Sequence, residues 1–168
     1  MKLRYVIVTL SILALAATAL MSAEDGKPVT TKQLVGTWKV VSVTNERDGK
    51  KTDGFGPNPY GITIFDRHGN FARVETRSDL PKFASNNRQT GTPNENQAVM
   101  QGSIAYFGTY SCNAAEKTCT YHIQASTFPN WVGVDQKRVF TLVGDELREV
   151  NPVASIAGTA VLVWKRVR

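Results

Sequence analysis

The chain has 168 residues, 42% of them hydrophobic and 20% charged, with a formal net charge of +6; this is enough for one domain with a core and too little for two ordinary ones. The positive excess is mild and no run of Lys and Arg interleaves with aromatics, so a nucleic-acid partner has no support. The two histidines lack metal-ligand spacing, no Gly-x-Ser-x-Gly elbow occurs and no glycine loop is built to cradle phosphate, so neither a metal nor a cofactor is expected.

In chain order, Lys2 and Arg4 precede an apolar run from Tyr5 to Leu20 that ends in small residues, the pattern of a secretory signal peptide. A run of roughly 16 residues is shorter than the roughly 20 needed to span a bilayer. Residues 1–23 are therefore expected to leave, by cleavage after Ala19 or Ala23, giving a secreted or periplasmic protein with no integral membrane span. Losing Lys2 and Arg4 would lower the net charge by two. Residues 24–33 are expected to form a flexible segment and 34–168 the folded domain.

After one helical turn in TTKQL, β signals recur with turn residues between them, at 37–44, 60–65, 71–77, 103–111, 118–126, 137–143, 147–151 and 159–167. The links DRHGN, NAAEK and GDE are tight enough for antiparallel hairpins. Eight sequential antiparallel strands in a small domain close into an up-and-down barrel whose interior holds side chains or one small ligand. A two-sheet sandwich usually needs longer crossovers and is the weaker reading.

One stretch breaks this grammar. FASNNRQTG reads as a polar loop, and TPNENQAVMQG then supplies Thr92 and Glu95 as a capping box, Pro93 at the first helical position and Gly102 as a left-handed cap. One short helix, 93–101, is expected between strands three and four. Asn87 and Arg88 have two readings, tying down the loop or meeting a ligand at the barrel mouth.

Cys112 and Cys119 flank NAAEK, and the pairing that opposes them also opposes Tyr110 with Tyr121 and Thr109 with His122. Opposed antiparallel positions lie within disulfide range, so a cross-strand disulfide is predicted. Strand parity puts Ile104, Tyr106, Tyr110, Tyr121 and Ile123 on one face and Phe107, Thr109, His122 and Gln124 on the other. Parity does not say which face is inside. With the mixed face inward, His122, Gln124 and Thr109 would surround a cavity walled by Phe107. On the next strand Arg138 shares a face with Phe140 and Leu142. An inward Arg138 needs an acid, Glu75, Asp135 or Glu149, or a bound carboxylate. Trp131, after a Pro-Asn turn, is expected to fold over an open barrel end.

The Gly36-x-Trp38 of GTWKVVSV, the terminal WKRVR containing Arg166, and the ordered FASNNR and FPNWVG resemble the bacterial and fungal lipocalin-like domain proteins over most of the chain. The resemblance implies an eight-stranded calyx, with Gly36, Trp38 and Arg166 as structural residues. The reading that follows is a carrier of a small amphipathic or hydrophobic molecule, with Arg138, His122, Phe107, Thr109, Gln124, Asn87, Arg88 and Trp131 as the ligand-binding set. Two alternatives stand beside it. One is a cyclase, isomerase or hydratase with His122 or Glu75 as acid or base and Arg138 or Tyr110 as the anion holder. The other is a ligand-free interaction module.

Overall fold

The structure is a computed structural model that describes residues 27–168; the leader and its two cleavage points lie outside the described residues. The elements are β1 (Lys27–Pro28), α1 (Thr31–Leu34), β2 (Gly36–Arg47), β3 (Lys50–Asp53), β4 (Tyr60–Phe65), β5 (Asn70–Thr76), α2 (Pro93–Gly102), β6 (Ser103–Asn113), β7 (Thr118–Ser126), a 3₁₀ turn (Pro129–Trp131), β8 (Asp135–Val143), β9 (Glu146–Asn151) and β10 (Thr159–Arg166). Eight of the strands form a ring in the order β2, β4, β5, β6, β7, β8, β9, β10, and pairing of β10 with β2 closes it. Every pairing is antiparallel. The predicted eight-stranded barrel is the observed architecture.

Two short strands stand outside the ring. Lys27 and Pro28 pair with Leu142 and Thr141, Val29 is buried and Thr30 caps α1, so from Lys27 onward the expected flexible segment is part of the fold. Strand β3 folds back on the far end of β2 through Asp48 and Gly49, whose positive φ values of 51° and 74° suit a tight hairpin turn. With these strands counted, α2 lies between the fifth and sixth strands rather than the third and fourth.

Thr92 and Glu95 form the expected capping box on α2, and the second carboxylate oxygen of Glu95 accepts the Ala84 N–H at 2.8 Å. One side chain thus ties loop to helix. Gly102, however, is the last residue of α2 and is not left-handed. It is small because a Cβ there would lie 2.6 Å from Leu80 Cδ2.

The base of the barrel is closed by residues far apart in sequence. The Trp38 indole N–H donates to the Leu34 carbonyl at 2.8 Å, and the Arg166 guanidinium lies 4.0 Å from the Trp38 ring centre. Arg166 also donates to the Val35 and Gln33 carbonyls, satisfying the end of α1. Gly36 has φ 132°, and a Cβ there would stand 2.9 Å from Arg166 Nη1, so glycine is needed for two reasons. Above this base Phe65, Phe71, Tyr110, Tyr121 and Phe140 fill the lumen, with Phe71 stacked on Tyr121 at 4.3 Å and Phe65 edge-on to Tyr110 at 4.8 Å. Rings of this size bury about 2–3 kcal/mol each, so the lower half is a packed core.

Strands β6 and β7 keep the predicted register at Cys112 and Cys119, which are disulfide-bonded. Further along, the register slips between Phe107 and Gly108, where any Cβ on Gly108 would lie 1.9 Å from the His122 carbonyl oxygen. Replacing both cysteines with serine is expected to destabilise the protein by about 2 kcal/mol, the loop-closure value for so short a ring. Urea unfolding with and without reductant checks this: wild type under reductant and the double variant should share one midpoint.

Candidate functional site

The hairpin settles which face is inside. Ile104, Tyr106, Tyr110, Tyr121 and Ile123 are buried, whereas Phe107 is 50% exposed and His122 and Gln124 lie on the outer surface with Thr109 half-buried beside them. The apolar face fills the lumen because burying it removes the larger apolar area from water. Phe107, Thr109, His122 and Gln124 are therefore excluded from the barrel interior. Thr109 does oppose His122, but the His122 ring bonds elsewhere: its Nδ1 is 2.7 Å from Asp135 Oδ1, in a solvent-exposed pair. An acid–base role for His122 inside a closed chamber loses its geometry with this placement.

Arg138 points inward, as the parity of β8 required, beside buried Gln136 and Phe140. It belongs to a charged layer on top of the aromatic fill. Arg73 of β5 makes a two-pronged pair with Glu149 of β9, at 2.9 and 2.6 Å, and donates to the hydroxyls of Tyr106 and Tyr121. Arg138 reaches the same Glu149 at 3.1 Å and is bonded to Gln136. The Trp164 indole N–H gives Glu149 a fourth donor, at 3.1 Å. Of the three acids considered for Arg138, Glu149 is the partner and Asp135 is outside.

Burial alone would raise the Glu149 carboxyl, but the charges of Arg73 and Arg138 outweigh it and hold it below the ordinary value. Glu149 is an anion in the folded protein at all ordinary pH. Glu75 differs. It is 3% exposed, its Oε1 has no hydrogen-bond partner, and burial pushes its carboxyl up to about 7 against the opposing pull of Arg73 and Arg138. The Nε atoms of Arg73 and Arg138 are also buried without partners. The hydroxyls of Tyr106 and Tyr121 stay protonated, since burial raises both.

Above this layer the barrel is hollow. A cavity of about 480 Å³ has Arg73, Glu75, Tyr106 and Arg138 at its floor and Val43, Ile104, Ala160 and Leu162 on its walls. Its mouth is framed by Phe55, by Met100 and Gln101 at the end of α2, by Phe128 and Trp131, and by 154–156 of the β9–β10 loop. Trp131 stands edge-on to Tyr106 at 5.2 Å and to Phe128 at 5.7 Å, with the Arg138 guanidinium 5.8 Å from its ring centre. The Pro129 turn thus folds this indole over the open end. Asn87 and Arg88 do not line the cavity. The Asn87 side chain accepts the Gln89 N–H and its backbone bonds Ser85 and Thr90, so Asn87 serves its own loop. Arg88 is an exposed residue of that loop.

Sequence reasoning missed Arg73 as a floor residue. The strand does carry a signal: Arg73 lies between Phe71 and Glu75 at a spacing of two, so an inward Phe71 carries both charges inside. Among the described residues no group of three or more His, Cys, Asp or Glu side chains could hold a metal ion, and no helix is long and apolar enough to cross a membrane.

A profile described as the lipocalin-like domain matches residues 35–167. The chain is also similar to the 4'-hydroxy-3'-methoxypropiophenone carrier protein of Aspergillus oryzae, at 27% identity over 100 residues that cover 54% of this chain and 90% of the carrier.

Proposed function

The chain belongs to the lipocalin-like domain family, and from that premise we propose that it is an exported carrier holding one small amphipathic molecule in the upper half of its barrel. The observation that carries this reading is the cavity of about 480 Å³ with apolar walls and a charged floor. Its size lies within the range of roughly 300–1,000 Å³ typical of small-molecule sites, and its lining has their usual mixture of apolar wall and few convergent polar groups. A ligand-free module would gain stability by filling that space, as the lower half is filled. The Aspergillus oryzae relative is by name a carrier of an aromatic ketone with hydroxy and methoxy substituents. A molecule of that general kind, a flat apolar body with polar ends, suits a lining that includes Tyr106, Phe128 and Trp131.

Export is part of the proposal. It is supported by the charged and apolar leader and by the Cys112–Cys119 disulfide, a bond that persists in oxidising compartments.

The test is native mass spectrometry of the gently purified protein beside an Ala160→Trp variant. Ala160 is a buried wall residue, and an indole there takes up much of the free space. Wild type is expected to carry one bound small molecule, and the variant to lose it and to bind an apolar probe such as 4-phenylbutan-1-ol at least about tenfold more weakly. No bound mass, together with no response of tryptophan fluorescence to that probe, would defeat the reading.

A further inference from the structure

The floor of the cavity holds more positive charge than it has committed negative charge. Arg73 and Arg138 are both 1% exposed, and among the described residues the single carboxylate bonded to them is Glu149. One unit of positive charge is left to balance. In a low-dielectric interior such an imbalance is expensive, and the balancing anion need not touch the guanidinium to matter. Glu75 is the acid that lines this cavity, and its Oε1 has no hydrogen-bond partner among the described residues.

The groups that face Glu75 can be named from each packed element. Arg73 shares β5, Tyr106 comes from β6, Arg138 from β8 and Glu149 from β9. Opposite on β4 stand Gly61 and Thr63, neither of which titrates, and a Cβ on Gly61 would crowd Glu75 Cγ at 3.2 Å. So two cations and one fixed anion surround a carboxyl that can be charged or neutral, at the wall of an otherwise apolar cavity.

Resting on the carrier reading above, we infer that the cavity takes an organic acid, a carboxylate on an apolar body, and that one proton enters with it to neutralise Glu75. With the ligand absent and the pH above about 7, ionised Glu75 balances the second arginine. With the ligand present, its carboxylate does so, and Glu75 becomes a neutral carboxyl able to donate a hydrogen bond to it. Two anions at one floor would repel, so the site holds one at a time. The proton comes from solvent, and no bond other than that O–H is made or broken. The position of the Glu75 carboxyl near neutrality makes this exchange accessible in ordinary buffers.

The experiment uses the full exported chain with two matched probes, 4-phenylbutyrate and 4-phenylbutan-1-ol, titrated calorimetrically between pH 6 and 8. The acid is ionised throughout, and its affinity is expected to fall about tenfold across the range, with close to one proton taken up per ligand at pH 8 when buffers of different ionisation heat are compared. Affinity for the alcohol should stay level. In Glu75→Gln, a neutral shape-mimic, the acid should bind with no pH dependence and no proton uptake. Acid binding without proton uptake at pH 8, or a tenfold pH dependence that survives in Glu75→Gln, overturns the inference and leaves the carrier reading standing. The same follows if the alcohol binds and the acid does not at pH 6. Neither probe binding to either protein overturns both. Should Glu75→Gln fail to fold, the proton count on wild type decides alone.

Discussion

Replacing Glu149 with alanine is expected to cost about 4 kcal/mol of stability, because it leaves two buried guanidiniums without their anion. Glu149 accepts two bonds from Arg73, one from Arg138 and one from the Trp164 indole, and is itself fully buried. The loss therefore exceeds what any single salt bridge would give. A urea midpoint shift at unchanged slope measures it. The useful control is the triple variant Arg73→Leu, Arg138→Met, Glu149→Leu. Apolar replacement of a whole buried ion cluster is commonly neutral or stabilising, so this variant should recover most of the lost stability. If Glu149→Ala alone is as stable as wild type, water reaches the two guanidiniums and the layer is not desolvated.

Glu75 should show the opposite sign. Its carboxyl lies at about 7 in the fold, against an unperturbed value near 4.5. A group raised on folding stabilises fully below its unfolded value, and that contribution is lost as pH climbs to the folded one. The native state binds the extra proton between those limits, so Glu75 makes the protein less stable as pH rises from about 4.5 to 7, with a plateau above. The gap corresponds to about 3 kcal/mol. Glu75→Gln removes the titration but keeps the shape. Its stability relative to wild type should rise by that amount between pH 4 and pH 8, read from urea midpoints at several pH values. Parallel curves for the two proteins would mean that Glu75 ionises freely and is not desolvated. Glu149 acts with the other sign: its carboxyl is lowered on folding, so its contribution is present above the unfolded value and is lost as pH falls below it.

The ring of eight strands was legible because each strand alternates and its links carry turn residues. The register of β6 on β7 could be read from the symmetry of Cys112, Tyr110 and Thr109 about NAAEK. What parity could not give was direction. Both faces of that hairpin carry aromatics, and choosing the inner one takes the closure of all eight strands, which no local window contains. Hence the reading that puts Phe107, His122 and Gln124 in the lumen fails, whereas an apolar neighbour fixes the side of Arg138 and a Pro turn that of Trp131. The turn into β3 has a sequence signal, the Asp48-Gly49 pair between Glu46-Arg47 and KKTD. The charged floor is the hardest part to read. Arg73 and Glu149 lie 76 residues apart, and only the strand order β5 to β9 brings them together.

The filled base of the barrel leaves the cavity open at the other end. Trp38 and Arg166 seal one end and the stacked rings of Phe71 and Tyr121 block the lumen above it, leaving the mouth beside Trp131 as the way in and out of the cavity. Arrival and departure thus share one doorway. For the carrier proposed above, a bound molecule could not be pushed through by the next, so replacement is expected to be dissociative, at a rate set by escape alone that does not rise with the concentration of the competitor.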